Sequence, residues 1–438
     1  MKYQEAMDYI ESIQSYGIVP GLESITQLCG RLGNPQDRLR FVHIAGTNGK
    51  GSVLAYISTI LKCAGYRVGR YISPVIFEYR ERIQVNGRNI TKKALCEGVE
   101  IIRNICYEIV QEGLPHPTPF EVETALGFWY FDKMKCDIVV LETGMGGRHD
   151  ATNVIHSPET AVLTSISMDH MKFLGKSLME IAGHKAGIIK PGCTVVSACQ
   201  PPEAMAVVQQ TAEDMHCALR VADEGSIRNL RRGSGKSIER QRFDYESADG
   251  HVWKQLEISL GGVSQPANAL LAIETVLALV GRGFEVKETA IRKGLRETVW
   301  QGRFSVIARK PLLVVDGAHN EDAARKLAQS VEFYFTNRRI IYIMGILRDK
   351  EYEKVIALTH GYADQIITIT PPNNPRALTA YELAQEISKV HSQVTAVDSL
   401  EEAVEMAGLL AGPEDVILAF GSLSYLGRLI KIVERQTS

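Results

Sequence analysis

The run HIAGTNGKGS, residues 43–52, places three glycines, a lysine and a hydroxyl where they could hold a phosphate. Gly46, Gly49 and Gly51 would let backbone N–H groups close around phosphate oxygens, with the N-terminus of a following helix behind them. Thr47 and Asn48 complete the turn. Lys50 would bring a point charge to the β- and γ-phosphates, and Ser52 could offer its hydroxyl to Mg2+. A standard Walker loop reads G-x-x-x-x-G-K-[ST]. Here Ile44 stands at the first glycine and Gly51 separates Lys50 from Ser52. The plainer alternative is a tight glycine turn with an incidental lysine. An apolar strand before the loop, a helical pattern after it, and Lys50 and Ser52 in place favour the phosphate cradle.

Other chemistry-bearing residues follow apolar runs. LETGMGGRHDATNV sets Glu142 at the end of a strand, where open α/β sheets bind ligands, with Gly144, Gly146, Gly147 and Asp150 beyond it. Glu142 could ligate Mg2+; a helix cap or solvated strand end is the alternative. TSISMDH puts His170 past another strand, as a ligand or as a satisfied structural histidine. AGHKAGIIKPG holds Lys185 and Lys190, and spacing alone reads both as surface lysines with apolar stems. VVDGAHN ends a strand with Asp316, His319 and Asn320. These could position an amine or bind a carboxylate; an Asp turn with a capping Asn fits equally.

Elements that would position these groups are legible as a pattern. Apolar runs of four to six residues alternate with helical periodicity, which predicts an α/β fold with mostly parallel sheets. The helix after the loop should turn Val53, Leu54, Ile57, Ile60 and Leu61 to one side and stop at Gly65. From about residue 223 to 250 the chain is polar and glycine-interrupted. Its RNLRRGSGKSIERQR run could bind an anion, but a solvated excursion with short strands fits better. From Leu312 a regular series, LLVV, RIIYIM, QIITIT, VTAVD and DVILAF with intervening helices, predicts a five-strand doubly wound unit. The expected division is an ATP-binding domain over 1–298, a linker at 299–304 and a Rossmann-like domain over 305–438, with a site between them.

Composition narrows the classes. A chain of 438 residues is long for one core, so two domains are expected. A net charge of −2 offers no attraction to nucleic acid or an anionic membrane. No apolar run approaches the roughly 20 residues that span a bilayer. The acidic, helix-patterned start does not read as a signal peptide, so a cytoplasmic protein is expected. Eight cysteines, none in a C-x-x-C pair, read as mostly buried thiols.

Taken in order along the chain, GTNGKGS, YISP…ERI, PFEVETALGFWYF, LETGMGGRHDATNV, TSISMDH, AGHKAGIIKPG, QPANALLAIE, QGRF, DGAHN and GSLSYLG resemble the folylpolyglutamate and dihydrofolate synthase family, part of the Mur ligase superfamily. The resemblance spans almost the whole chain. It implies a P-loop ATPase-like N-terminal domain and a Rossmann-like C-terminal domain. It also implies that ATP phosphorylates a carboxylate and that the amine of L-glutamate displaces the phosphate. The carboxylate would be the γ-carboxyl of a folate or that of dihydropteroate. Carried over, Gly46 to Ser52, Asn268, Arg303 and Asp316 bind nucleotide, with Lys50 on its phosphates. Ser52, Ser73, Glu142 and His170 match positions around two Mg2+ ions. Lys185 matches a lysine that is carbamylated in the superfamily, which reverses the surface reading. Asp316, His319 and Ser422 match second-domain positions near nucleotide and glutamate. A monovalent cation and a monomeric enzyme acting only on small molecules complete the expectation.

Three departures stand out: Val75 and Ile76 follow Ser73-Pro74 where the family has His-Leu, His184 replaces a usual Glu, and Glu321-Asp322 follow DGAHN. They bear on the folate side more than on the reaction. A motor or switch ATPase would need standard Walker spacing. An NAD-dependent oxidoreductase would need G-x-G-x-x-G where the second unit offers DGAHNED.

Overall fold

The computed structural model describes residues 1–437 except 18, 234–237 and 248. The middle of the RNLRRGSGKSIERQR run therefore lies outside the described residues. The chain falls into two units. One comprises Met1–Ile227, Tyr245–Trp253 and Ala267–Glu297; the other comprises Arg228–Asp244, Lys254–Pro266 and Thr298–Ser438.

In the first unit, eight strands form one sheet: β1 (Phe41–Ala45), β2 (Val68–Tyr71), β3 (Ile83–Val85), β4 (Arg88–Asn89), β5 (Ile138–Glu142), β6 (Thr160–Leu163), β7 (Thr194–Ala198) and β8 (Ala218–Ala222). Their order is β4-β3-β2-β5-β1-β6-β7-β8. β2, β5, β1, β6, β7 and β8 run parallel, while β3 and β4 add an antiparallel edge. FVHIA, IVVLE and TAVL are buried at every residue, as strands covered on both faces must be. β1 lies between β5 and β6, so the loops leaving these three strands share one edge, where open α/β sheets form their crevice.

The helix after β1 spans Lys50–Cys63, with Gly65 in the left-handed region at φ 99°. The apolar face expected from periodicity is buried, but so are Ala55, Tyr56 and Ser58. A second helix, Glu288–Glu297, packs against it so tightly that a Cβ on Gly294 would lie 2.5 Å from the Ile60 Cα. Among the described residues no helix is long and apolar enough to cross a membrane.

The polar stretch after residue 223 contains β9 (Ile227–Arg232) and β10 (Gln241–Glu246), which with β11 (Val252–Ile258) make a three-stranded sheet. Gln241, Phe243 and Tyr245 point inward while Arg242 and Glu246 face out. Charged residues on the outer face hid this alternation in the sequence.

The second unit's larger sheet contains β12 (Ser305–Arg309), β13 (Leu312–Val315), β14 (Ile340–Met344), β15 (Gln365–Thr368), β16 (Val394–Ala396) and β17 (Val416–Phe420), in the order β12-β13-β17-β14-β15-β16. The five strands read from sequence are parallel. The sixth, β12, is an antiparallel edge on β13. Its apolar run is short, only Val306, Ile307 and Ala308, and no residue of SVIAR is fully buried. β13, β17 and β14 stand side by side, which gathers Asp316, Gly421 and Gly345 at one end.

Candidate active site

The phosphate loop is built on two glycine positions. Gly46 leaves β1 at φ 153°, and a Cβ there would lie 1.8 Å from the Thr164 Oγ1. Gly49 caps the following helix at φ 90°, and a Cβ there would lie 2.7 Å from the Asn268 Oδ1. The loop is pinned to the segment leaving β6. The Thr47 amide donates to Ser165 O at 2.7 Å, the Thr47 hydroxyl to Ser167 O at 3.0 Å, and the Ser165 hydroxyl to Asn48 O at 3.3 Å. Lys50 folds back over the loop, donating to the carbonyls of Gly46 at 3.0 Å and Thr47 at 3.3 Å. Ser52 is buried in the helix's first turn. The cradle thus has a fixed shape, a lysine above it and a helix N-terminus behind it, the arrangement that binds phosphate.

Beside the loop, Glu142 ends β5 and is buried; the Ser73 amide donates to its Oε2 at 3.4 Å. Ser52, Ser73 and Glu142 are hard oxygen donors, which suit Mg2+. No group of three or more His, Cys, Asp or Glu that could hold a metal occurs among the described residues. A Mg2+ that takes most of its ligands from phosphates and water needs none, so the donor set fits it. His170 has φ 50° and a half-exposed ring, with Nε2 3.8 Å from the Asp169 Oδ2. Asp169 is the more buried of the two, its side chain 11% exposed. Sequence reasoning passed over Asp169; the signal available was a carboxylate adjoining the histidine in TSISMDH.

Lys185 lies in the helix Leu178–Ala186 and is 3% exposed, so it is a buried lysine and not the surface residue its spacing suggested. Burial and then repulsion from Lys50 pull its pKa down to about 7, against the opposing charges of Asp169 and Asp150. An amine in that range is neutral often enough at pH 7 to act as a nucleophile. Lys190 is also lowered, to about 8, mainly by burial; its Nζ donates to the carbonyls of Asn153 and Ile155.

The glycine turn after Glu142 is held from within. The buried Asp150 carboxylate accepts from the Met145 and Thr152 amides at 2.9 and 3.1 Å and from the Thr152 hydroxyl at 2.5 Å. Desolvation raises its pKa and these hydrogen bonds oppose the rise. Thr152 in turn meets His43 Nε2 at 2.9 Å in the centre of β1. Asp150 is thus an organiser of the turn.

The second unit carries the remaining candidates. Asp316, at the end of β13, accepts from the amides of Phe304 and Ala318, both at 2.8 Å. Burial raises its pKa, and the neighbouring Arg303 charge pulls the other way. Arg303 also crowds Gly317, whose added Cβ would lie 2.9 Å from the Arg303 Nη1. His319 Nδ1 meets Gly317 O at 2.7 Å, and Asn320 caps the helix Glu321–Phe335 through the Ala323 amide at 3.0 Å. Both alternatives read from VVDGAHN are therefore present: the capping Asn, and an acid and histidine fixed on one turn. At the end of β17, Ser422 meets the Ser424 hydroxyl at 2.9 Å and accepts from its amide at 3.3 Å.

Residues 44–276 match the Mur ligase middle domain, and residues 302–423 match the Mur ligase glutamate ligase domain. The chain is 34% identical to the dihydrofolate synthase/folylpolyglutamate synthase of Bacillus subtilis, over 98% of each chain. It is 36% identical to the folylpolyglutamate synthase of Lacticaseibacillus casei, again over 98% of each. Among solved structures it matches Mycobacterium tuberculosis folylpolyglutamate synthase complexed with ADP and AMPPCP. That match has a TM-score of 0.88 at 28% identity, covering 100% of this chain and 99% of the other.

Proposed function

The chain belongs to the Mur ligase family, in its folylpolyglutamate and dihydrofolate synthase branch, and from that membership we infer an ATP-dependent ligase that joins L-glutamate to a folate carboxylate. The observation that carries the chemistry is the sheet edge where the phosphate loop, Glu142 and the buried Lys185 converge.

A free carboxylate resists an amine because its leaving group would be oxide. Transfer of the γ-phosphate from ATP makes an acyl phosphate, the amine of glutamate adds to its carbonyl carbon, and the tetrahedral adduct expels phosphate. The nitrogen gives up one proton to base and keeps the other as the amide N–H, leaving an amide, ADP and phosphate. Lys50 and the loop amides are assigned to hold the ATP phosphates and stabilise charge as the γ-phosphoryl group moves. Ser52, Ser73, Glu142 and His170 are the residues that would hold Mg2+, two ions in this proposal, with a monovalent cation as a further site. When bound, Mg2+ supplies Lewis-acid charge on the phosphate oxygens.

Lys185 is proposed to be carbamylated: its neutral amine adds to CO2, an N–C bond forms and a proton leaves. Its lowered pKa supports this, since only the unprotonated amine reacts. The product is an anion in place of a cation beside Lys50. Asn268 and Arg303 are assigned to the nucleotide, Asp316, His319 and Ser422 to nucleotide and glutamate. The functional division is 1–298 for nucleotide and metal, 299–304 as linker and 305–438 for glutamate. A cytoplasmic monomer completes the proposal.

The test is phosphate release with ATP, Mg2+ and tetrahydrofolate, with and without glutamate. Release that ignores glutamate would count against ligation. An acceptor carboxylate labelled with 18O should pass one label to phosphate. The second activity, glutamate onto dihydropteroate, is favoured by the bifunctional Bacillus subtilis relative. Exchanging the acceptor separates the two.

A further inference from the structure

The Glu81-Arg82 pair of the ERI segment has no assigned part in binding or ligation, yet both side chains are committed. The Glu81 carboxylate accepts three consecutive amides, Ile76 at 3.0 Å and Phe77 and Glu78 at 3.2 Å, and so shapes the loop after Ser73. Arg82 turns the other way. Its carbonyl accepts the Ile72 amide at 3.1 Å, and its Nε lies 3.3 Å from the Glu123 Oε2. The two side chains are only 14% and 7% exposed. Arg82 Nε and Nη1 are closed to solvent and make no hydrogen bond, so the Glu123 charge is their compensation. The Tyr79 hydroxyl is enclosed in the same place, its pKa raised by desolvation and then by Glu123.

Glu123 belongs to the helix Pro119–Lys133, and its neighbours on that helix reach both sides of the metal-side pair. Phe120 fills the space over Gly144, where a Cβ would lie 2.6 Å from the ring. Thr124 meets the Tyr71 hydroxyl at 3.0 Å. One helix face therefore touches the residue two after Glu142, the residue two before Ser73, and Arg82 opposite Ile72.

We propose that the buried Arg82–Glu123 ion pair is a positioning device that sets Ser73 against Glu142, and hence the metal-bearing end of the nucleotide. Arg82 and Glu123 are positioning residues: they act through the Ile72–Ser73 backbone and the Phe120 contact. The proposal rests on the ligase reading. The rival role is stability alone. The two differ because an ion pair constrains orientation, while apolar packing of the same volume restores burial without direction.

The experiment measures Mn2+ binding in the presence of ADP, from the loss of the free-ion EPR signal, together with Tm. Variants are Arg82→Met, Glu123→Gln and the double change Arg82→Met with Glu123→Leu, all read well below their Tm. Each single variant should lower Tm by on the order of 10 °C and weaken Mn2+ binding about 10- to 100-fold. The double variant should regain most of the Tm and little of the Mn2+ affinity. Recovery of both, or single variants that lose Tm but bind Mn2+ normally, would overturn the proposal. If the double variant does not fold, Glu123→Gln decides alone, since it keeps the volume and removes only the charge. Wild-type protein that takes up no Mn2+ with ADP would overturn the ligase reading as well.

Discussion

A Cβ on Gly49 would stand 2.7 Å from the Asn268 Oδ1, so the phosphate loop meets the Asn268 side chain where only a hydrogen fits. Gly49 also has φ 90°. Gly49→Ala therefore combines backbone strain of about 1–3 kcal/mol with displacement of Asn268. ADP affinity, measured by calorimetric titration, should fall about tenfold or more, some 1.4 kcal/mol. Unchanged affinity would remove this contact from the nucleotide site.

Lys50→Met should act twice. Loss of the phosphate-side cation should lower kcat by about 100- to 1,000-fold. It should also raise the Lys185 pKa above about 7, because a neighbouring positive charge no longer opposes protonation. Labelling of Lys185 by an amine-directed reagent in CO2-free buffer, followed by mass spectrometry across pH, gives the midpoint. A midpoint that does not move would assign the whole depression to burial.

His43 is fully buried, and desolvation holds its pKa down to about 3 from 6.5. Its folded form resists protonation while the unfolded chain accepts a proton. Stability is thus complete above pH 6.5 and is lost as pH falls towards 3. Between pH 6.5 and 4.5 this one group should remove about 2.3 kcal/mol. Urea unfolding at the two pH values, in wild type and in His43→Gln, isolates it. An equal pH effect in the variant would exonerate His43.

Asp316 and His319 share a turn but should separate in their effects. Asp316→Asn keeps the shape but turns an amide nitrogen towards one of two amides that the carboxylate now accepts. It should cost about 1–3 kcal/mol of stability as well as activity. His319→Ala leaves those bonds in place and should lower kcat about 100-fold with little change in Tm. Equal Tm losses in the two variants would make His319 structural.

Much of the fold and of the candidate site is legible in the order of residues. The strands β1, β5, β6, β13 to β15 and β17 are apolar enough to be read singly, β16 follows from its place in the regular series, and GTNGKGS reads as a phosphate cradle by residue type. β12 is harder to read, because its apolar run is only Val306, Ile307 and Ala308 between Ser305 and Arg309, and none of these is fully buried. Spacing misreads Lys185 for a related reason. A lysine among apolar residues reads the same whether its stem lies on the surface or its amine is enclosed.

Sequence thus suffices for the family, for the alternation of strand and helix, and for the residue types available to phosphate and carboxylate chemistry. These are local properties, written in short windows and in the order of motifs. It takes tertiary packing to make Thr164 and Asn268 close the glycine loop, to bring the Lys50 charge within reach of Lys185, and to answer Arg82 with Glu123. Burial and electrostatic coupling arise between segments distant in the chain, and no periodicity within one segment records which other segment will come to lie against it.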